Sequence, residues 1–315
     1  MDEYLSPSAQ AARPAMAVNL VLFTVAEPEQ IQRLAGLGLV SGVSDFGGFE
    51  SGLSLFVLTV RPPEKFLMKL SLDESSGERV LPFGYVEGDE KLTDTARRIA
   101  SQKLGLDARI RFRDGGIFDE PHRTPGRRVV AFSYWGFVPF EAMARSLGGP
   151  DRIGLELVNS EQELAKYGSK LEYFDGVCRF GARQRPDAKS GHTRISSSEL
   201  GGRRILGFDG DEMVFYAWRK LRHAISGPLD PFRYLGVPFL GETFRFSDLK
   251  AFNDVVRGEI TQRDAFKRTV MNRDFVTESN IIDKSRRGKP TNLWTVSAPI
   301  REYLESAPDE TQEEL

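Results

Sequence analysis

The sequence predicts an α+β protein made of two unequal domains, and three observations carry that prediction. Apolar runs of strand length recur in the first 140 residues, at Ala17–Val25, Leu53–Val60 and Val129–Val138. A segment with helical spacing lies among them, over residues 90–104, where Leu92, Ala96 and Ile99 recur between charges. Beyond residue 208 the balance shifts to helices, followed by two short strand-like runs. A length of 315 residues suits two domains at about 150 residues each.

The composition narrows the class. Forty per cent of residues are hydrophobic and 28% are charged, as expected of a globular chain with a real core. The formal net charge is −2, which taken alone argues against a strongly basic nucleic-acid binder, although an average can hide a polarised chain. Cys178 is the one cysteine, so an intramolecular disulfide is impossible and a cytoplasmic location is expected. With only His122, His192 and His223 beside it, a structural Cys/His zinc site is not expected, nor is any other metal or cofactor. No apolar run reaches the ~18 residues that a membrane span needs. Residues 1–15 lack a basic region followed by an apolar core and are expected to form a disordered arm.

The remaining elements follow in order. Phe66–Leu72 alternates loosely, and Arg79–Leu81 leads into a turn at Gly84. Residues 140–205 are polar and rich in glycine and serine, and read as an insertion with mobile loops and one added strand near Ile153–Val158. Asp209–Ile225 is amphipathic, with Val214, Ala217, Trp218, Leu221 and Ile225 on one face and Gly227-Pro228 as its stop. Phe244–Phe246 reads as a short strand. Ser247 is placed to cap a helix with Leu249, Phe252 and Val256 inward, closed by Gly258. Thr261 is placed to cap another, with Phe266 and Val270 inward. Asp274–Ser279 and Thr291–Val296 read as strands joined by the basic turn KSRRGKP. From residue 301 the chain is acidic and expected to be disordered, with six carboxylates between Glu302 and Glu314.

Gly84-Tyr-Val-Glu-Gly-Asp-Glu90 spells G-x5-E; Arg98 follows at the eighth position, and Gly105-Leu106 closes the segment. This frame resembles the Nudix box, G-x5-E-x7-R-E-U-x-E-E-x-G-U with U aliphatic. Leu81-Pro82-Phe83-Gly84 resembles the L-P-G-G turn before it, with Phe83 in place of the first glycine. The resemblance, over about residues 16–139, implies an α/β/α sandwich. It also implies that the catalytic glutamates belong at Ile99, Gln102 and Lys103, which on a helix share one face. That face would hold Mg²⁺ in a hydrolase of the family, and magnesium needs hard anionic oxygens. A hydrocarbon, a neutral amide and a cation do not supply them, so the chain is expected not to be an enzyme. Phe118-Asp-Glu-Pro-His-Arg-Thr-Pro-Gly-Arg-Arg-Val-Val130 resembles a stretch of Nudix-related transcriptional regulators. Physically it is a proline-stiffened loop bearing Arg123, Arg127 and Arg128, equally suited to meeting a phosphate-bearing ligand and to being a solvated surface.

The order strand, helix, tight turn, helix, strand, basic turn, strand is that of a winged helix-turn-helix. Phe244–Leu249, Phe266–Met271 and the run Lys284–Trp294 resemble the C-terminal domain of those same regulators, and Leu206-Gly-Phe-Asp-Gly-Asp-Glu212 resembles their interdomain junction. The expected organisation is thus an arm (1–15), a Nudix-like sensor domain (16–208, with the insertion at about 140–205), a winged-helix domain (209–300) and an acidic tail (301–315). Charge agrees: residues 261–291 hold eight basic residues against four acids. The expected DNA-binding residues are Arg263, Lys267, Arg268, Arg273, Lys284, Arg286, Arg287 and Lys289. The wing's KSRRGK suits phosphate or the minor groove.

The resemblance therefore implies a DNA-binding transcriptional regulator, a repressor, acting as a homodimer on double-stranded operator DNA. Its effector would be a nucleotide sugar such as ADP-ribose, or a sugar phosphate, met by Glu90, Arg98, Lys103, Phe118, Asp119, Arg123 and Arg127. One alternative is a Nudix hydrolase of nucleoside diphosphate derivatives that recruits metal through Glu87, Asp89, Glu90 and Asp94. Another is a non-catalytic module whose basic wing binds a protein or RNA.

Overall fold

In the computed structural model, the residues described are 14–27, 29–30, 53–60, 80–106, 110–120, 123–124, 128–140, 142–143, 206–226, 240, 242–257, 261–283 and 290–306, with the backbone of the strands between 155 and 194. Strand β1 (Ala15–Ala26) is the axis of the molecule, and its last ten residues are all buried. A strand apolar on both sides is what a sheet covered on both faces requires. It runs parallel to β5 (Val129–Phe137), from Ala15↔Val129 to Phe23↔Phe137. It is antiparallel to β2 (Ser54–Val60) and to the short β3 (Phe83–Tyr85). The edge strand β4 (Arg113–Phe118) pairs with β5 through a bulge between Asp114 and Gly116.

On the other side, β2 continues into β6 (Leu155–Ala165), β7 (Gly168–Asp175) and β8 (Cys178–Ala182). The whole is an eight-stranded mixed sheet of order β4-β5-β1-β2-β6-β7-β8, with β3 attached to β1. A small ladder joins β9 (Arg185–Pro186) and β10 (Thr193–Arg194). Among the described residues the insertion thus adds three strands to the main sheet, besides the β9–β10 ladder, where one strand was expected. Pairing to the β2 edge is non-local, and a local pattern does not report it.

Side chains of β1 divide between two apolar clusters. Val18, Leu20 and Leu22 pack with Ala96, Ile99, Ala100 and Leu104 from helix α1 (Leu92–Arg98) and its continuation. Val21, Phe23 and Val25 pack with helix α2 (Gly210–Ser226). The five residues expected on the inner face of α2 are all buried, together with Met213 and Phe215. Helices therefore cover both faces of the sheet. The second cluster runs on without a break across residue 208 into the C-terminal elements.

Those elements are α3 (Phe246–Arg257), α4 (Arg263–Asn272), β11 (Val276–Asp283), β12 (Thr291–Val296) and α5 (Ala298–Ser306). Leu249, Phe252, Val256, Phe266 and Val270 are buried, as their spacing predicts. Several details differ. Phe244 forms a single bridge to Trp294, and the helix has already begun at Phe246. Ser247 lies inside the first turn, its hydroxyl 3.3 Å from the Asp248 carboxylate, so it is no cap. The Thr261 hydroxyl and amide donate to Asp254 Oδ1, at 2.5 and 3.1 Å, and Gln262 occupies the N-cap of α4. Strand β11 begins two residues later than expected because Asp274, at φ +50°, turns the chain first. Helix α5 takes up residues 301–306 of the segment expected to be disordered. Phe66–Leu72, the stop at Gly227-Pro228, residues 284–289 of the turn KSRRGKP and residues 307–315 lie outside the described residues. Among the described residues no helix is long and apolar enough to cross a membrane.

Candidate functional site

The box is built around Gly84. A Cβ there would stand 3.0 Å from Cγ1 of Ile99 and 3.4 Å from Nζ of Lys103, so a bare α-carbon lets the helix approach β3 this closely. After Arg98 the helix widens into a π turn, Ile99–Lys103, in which the Leu104 amide donates to Ile99 O at 3.3 Å. Gly105 closes it at φ +60°, its amide bonded to Ser101 O. Across this wider turn Ile99 and the Lys103 ammonium still both reach the Gly84 side of the helix. Ile99 is fully buried, while Gln102 and Lys103 are exposed.

Glu90 and Arg98 hold each other. Arg98 Nε donates to Glu90 Oε1 at 2.6 Å and Nη2 to Oε2 at 2.9 Å. The Thr95 hydroxyl and the Glu87 amide add to Oε2, at 2.8 and 3.2 Å. Arg98 also donates to Tyr85 O at 2.8 Å and pairs with Glu87 at 3.1 Å. The Arg98 hydrogen bonds are the main cause that brings the Glu90 carboxyl down to about 2. The pair thus ties the loop after β3 to α1.

Lys103 turns toward the start of β3. Its ammonium donates to Phe83 O at 2.7 Å and lies 5.6 Å from the Phe83 ring centroid. Desolvation, then the Arg98 charge, pushes its pKa down. The Phe83 ring meets Tyr85 edge-on at 6.3 Å and Phe208 at 6.2 Å. Phe208 has φ +60°, a left-handed conformation that is rare for a bulky side chain. Its neighbour Asp209 accepts from Arg123 Nε at 2.6 Å, with side-chain exposures of 3% for Arg123 and 9% for Asp209.

The sequence-predicted effector residues therefore occupy different settings. Glu90, Arg98 and Lys103 gather beside β3. Arg123, expected on an exposed loop, is buried against the start of α2 instead. Phe118 is half-buried at the end of β4, edge-on to Tyr216 of α2 at 6.4 Å, and Asp119 is exposed. Arg127 lies outside the described residues. Tyr85, Phe208 and Asp209 were not singled out as site residues. Phe83 and the Leu206–Asp209 junction did stand out, as a departure from a motif and as a match to one.

Helix α4 presents a separate surface. Phe266 and Val270 are buried, whereas Arg263 in the first turn, Lys267 and Arg268 are exposed, and Arg273 is exposed at the C-cap. The Lys267 ammonium lies 5.8 Å from the Trp294 ring centroid, so α4 is braced against β12. Lys284, Arg286, Arg287 and Lys289 lie outside the described residues.

No protein-family model matches the sequence, and no curated protein is significantly similar to it. Solved structures are similar. A MutT/nudix family protein from Enterococcus faecalis superposes with TM-score 0.54 at 17% identity, covering 90% of this chain and 87% of that one. NrtR from Shewanella oneidensis, in complex with a 27-mer DNA, gives TM-score 0.51 at 16% identity, covering 90% of this chain and 93% of that one. The same protein without the DNA gives 0.50 at 17% identity. The chain has a Nudix-type fold. Within that fold, the space beside Gly84 holds Ile99 and the Lys103 ammonium. Among the described residues, no three of His, Cys, Asp and Glu come together as metal ligands would. The chemistry these residues offer is cationic and aromatic: an ammonium, two edge-packed phenylalanines and a buried guanidinium.

Proposed function

We propose that this protein is a DNA-binding transcriptional regulator, a repressor acting as a homodimer, whose Nudix-like domain senses a ligand and does not hydrolyse it. The observation that carries this reading is the cationic surface of α4, where Arg263, Lys267 and Arg268 are exposed while Phe266 and Val270 are buried. A helix of this kind fits the major groove, where Arg and Lys read guanine edges. In this reading α3, α4, β11 and β12 form the winged helix-turn-helix, and Lys284, Arg286, Arg287 and Lys289 at the wing tip, with Arg273, contact phosphate or the minor groove. A solved structure of similar fold holds a 27-mer DNA, which supports the reading.

The effector is a nucleotide sugar such as ADP-ribose, or a sugar phosphate. It binds near Lys103, Phe118, Asp119, Arg123 and Arg127, with the Glu90–Arg98 pair bracing the loop beneath. Effector and DNA prefer different dimer geometries, so each weakens the other. The test is fluorescence anisotropy with a duplex from upstream of the protein's own gene. Sequence-selective, salt-sensitive binding that ADP-ribose weakens is the expected result, and binding equal to that of a random duplex would overturn the proposal.

The hydrolase reading has the Enterococcus faecalis neighbour in its favour. Three of its four relocated acids are engaged elsewhere: Glu87 and Glu90 on Arg98, and Asp94 on Arg97 at 3.5 Å. Magnesium-dependent turnover of a nucleoside diphosphate derivative would establish it.

A further inference from the structure

We infer that Arg123 couples the effector site to helix α2, through its buried bond to Asp209. The inference rests on the proposed reading of Arg123 as an effector-site residue. Arg123 is 8% exposed, and its Nε–Asp209 Oδ2 bond, at 2.6 Å, spans 86 residues of sequence. Its Nη2 is buried with no hydrogen-bond partner among the described residues. A guanidinium has five N–H donors in a fixed fork, and a buried donor left unpaired is costly. Arg123 thus presents an unmet donor that an anionic oxygen would satisfy, on the same plane that grips Asp209.

The place is well connected. Asp209 immediately precedes α2, and its carbonyl accepts the Met213 amide at 2.9 Å. Phe208, held at φ +60°, puts its ring against Phe83, whose carbonyl takes the Lys103 ammonium. One contact path therefore runs from Lys103 through Phe83 and Phe208 to Asp209 and Arg123.

The junction has little slack to absorb a displacement of Asp209. The Leu206 amide folds back onto Asp211 Oδ1 at 3.1 Å, and a Cβ on Gly210 would strike Leu206 Cβ at 2.7 Å. Beyond it, the Trp218 indole N–H donates to Val256 O of α3 at 3.1 Å. An anionic group taking Nη2 shares the guanidinium with Asp209 in a buried, weakly screened setting, so the two acceptors compete. The consequence is a ligand-dependent shift at the start of α2, carried to α3.

The ligand class is a phosphate-bearing anion. The experiment is hydrogen exchange on the full chain with and without saturating ADP-ribose, and with inorganic pyrophosphate as the bare anion. Exchange across residues 210–226 should change at least threefold on ligand addition in the parent. In Arg123→Lys, which keeps the charge but loses the fork, that change should vanish. Asp209→Asn should also lose it while retaining a ligand-induced thermal shift, and it decides the matter should Arg123→Lys fail to fold. No change over 210–226 in the parent with either probe, or an equal change in the variants, would overturn the inference. Duplex-DNA binding is scored separately: its absence sinks the regulator reading and leaves an α2 response standing.

Discussion

Glu90 accepts hydrogen bonds from four donor groups, two of them on Arg98. Its carboxyl falls from the ordinary 4.5 to about 2, chiefly through the Arg98 bonds. A carboxylate whose folded pKa is depressed adds stability above its unfolded pKa and loses it as pH falls through the folded value. The Glu90 contribution is thus complete above pH 4.5 and disappears between there and about pH 2. Glu90→Gln should flatten that part of a Tm-against-pH curve while leaving its slope near neutrality unchanged, as measured by differential scanning fluorimetry. Arg123→Ala acts differently, because it strands Asp209 as a buried, uncompensated charge; a loss of about 3–5 kcal/mol in urea unfolding is expected. A loss under about 1 kcal/mol would mean that Asp209 finds water or another donor. The sequence singled out Glu90, Arg98 and Arg123, since each sits in a motif. It did not show that Glu90 and Arg98 satisfy each other, or that Arg123 turns inward to a residue 86 positions away. Those are choices of partner, and local spacing does not encode them.

At the scale of elements, the same divide separates periodicity from pairing. The inner faces of α2, α3 and α4 were legible because one stripe of each meets a core. Strand β4 was not, because Asp114-Gly115-Gly116 reads locally as a turn. In the fold, Gly115 lies so close to β5 that a Cβ would stand 2.6 Å from the Ser133 hydroxyl, and the bulge between Asp114 and Gly116 shifts the register of an edge strand. The π turn after Arg98 was hidden too, since its apolar spacing also fits an α-helix. Gly105 terminates it at φ +60°. Gly105→Ala should therefore cost about 1 kcal/mol in chemical denaturation, from placing a Cβ in the left-handed region. On α4, the roles of Lys267 and Arg268 separate by competition. Alanine at both should weaken a specific duplex more than a random one if they read base edges. An equal loss on both duplexes would make them phosphate contacts, with a shallower salt dependence as the signature.

The net charge of −2 is a sum over unlike parts, a basic segment at 261–291 and an acidic C-terminus, so it places no limit on DNA binding. The apolar interior, by contrast, is shared. One cluster joins Val21, Phe23 and Val25 of β1, through Trp218 of α2, to Phe252 of α3, Phe266 of α4 and Trp294 of β12. Phe137 of β5 meets Phe252 ring to ring at 5.4 Å, and the Trp218 indole bonds to Val256 O. A sheet and a set of C-terminal elements that bury the same residues cannot lose them independently. Calorimetry of the full chain should therefore show one transition for these elements, with calorimetric and van't Hoff enthalpies in agreement. Trp218→Ala should lower that single transition by about 3–5 kcal/mol of stability and leave it unsplit. A fragment beginning at residue 240 would expose the α3 face that α2 covers, and should show no cooperative unfolding. Two resolved transitions in the parent, or a fragment that melts cooperatively alone, would mean that the cluster is an interface between separable units. Any ligand signal would then have to cross it as a docking change and not as a shift within one core.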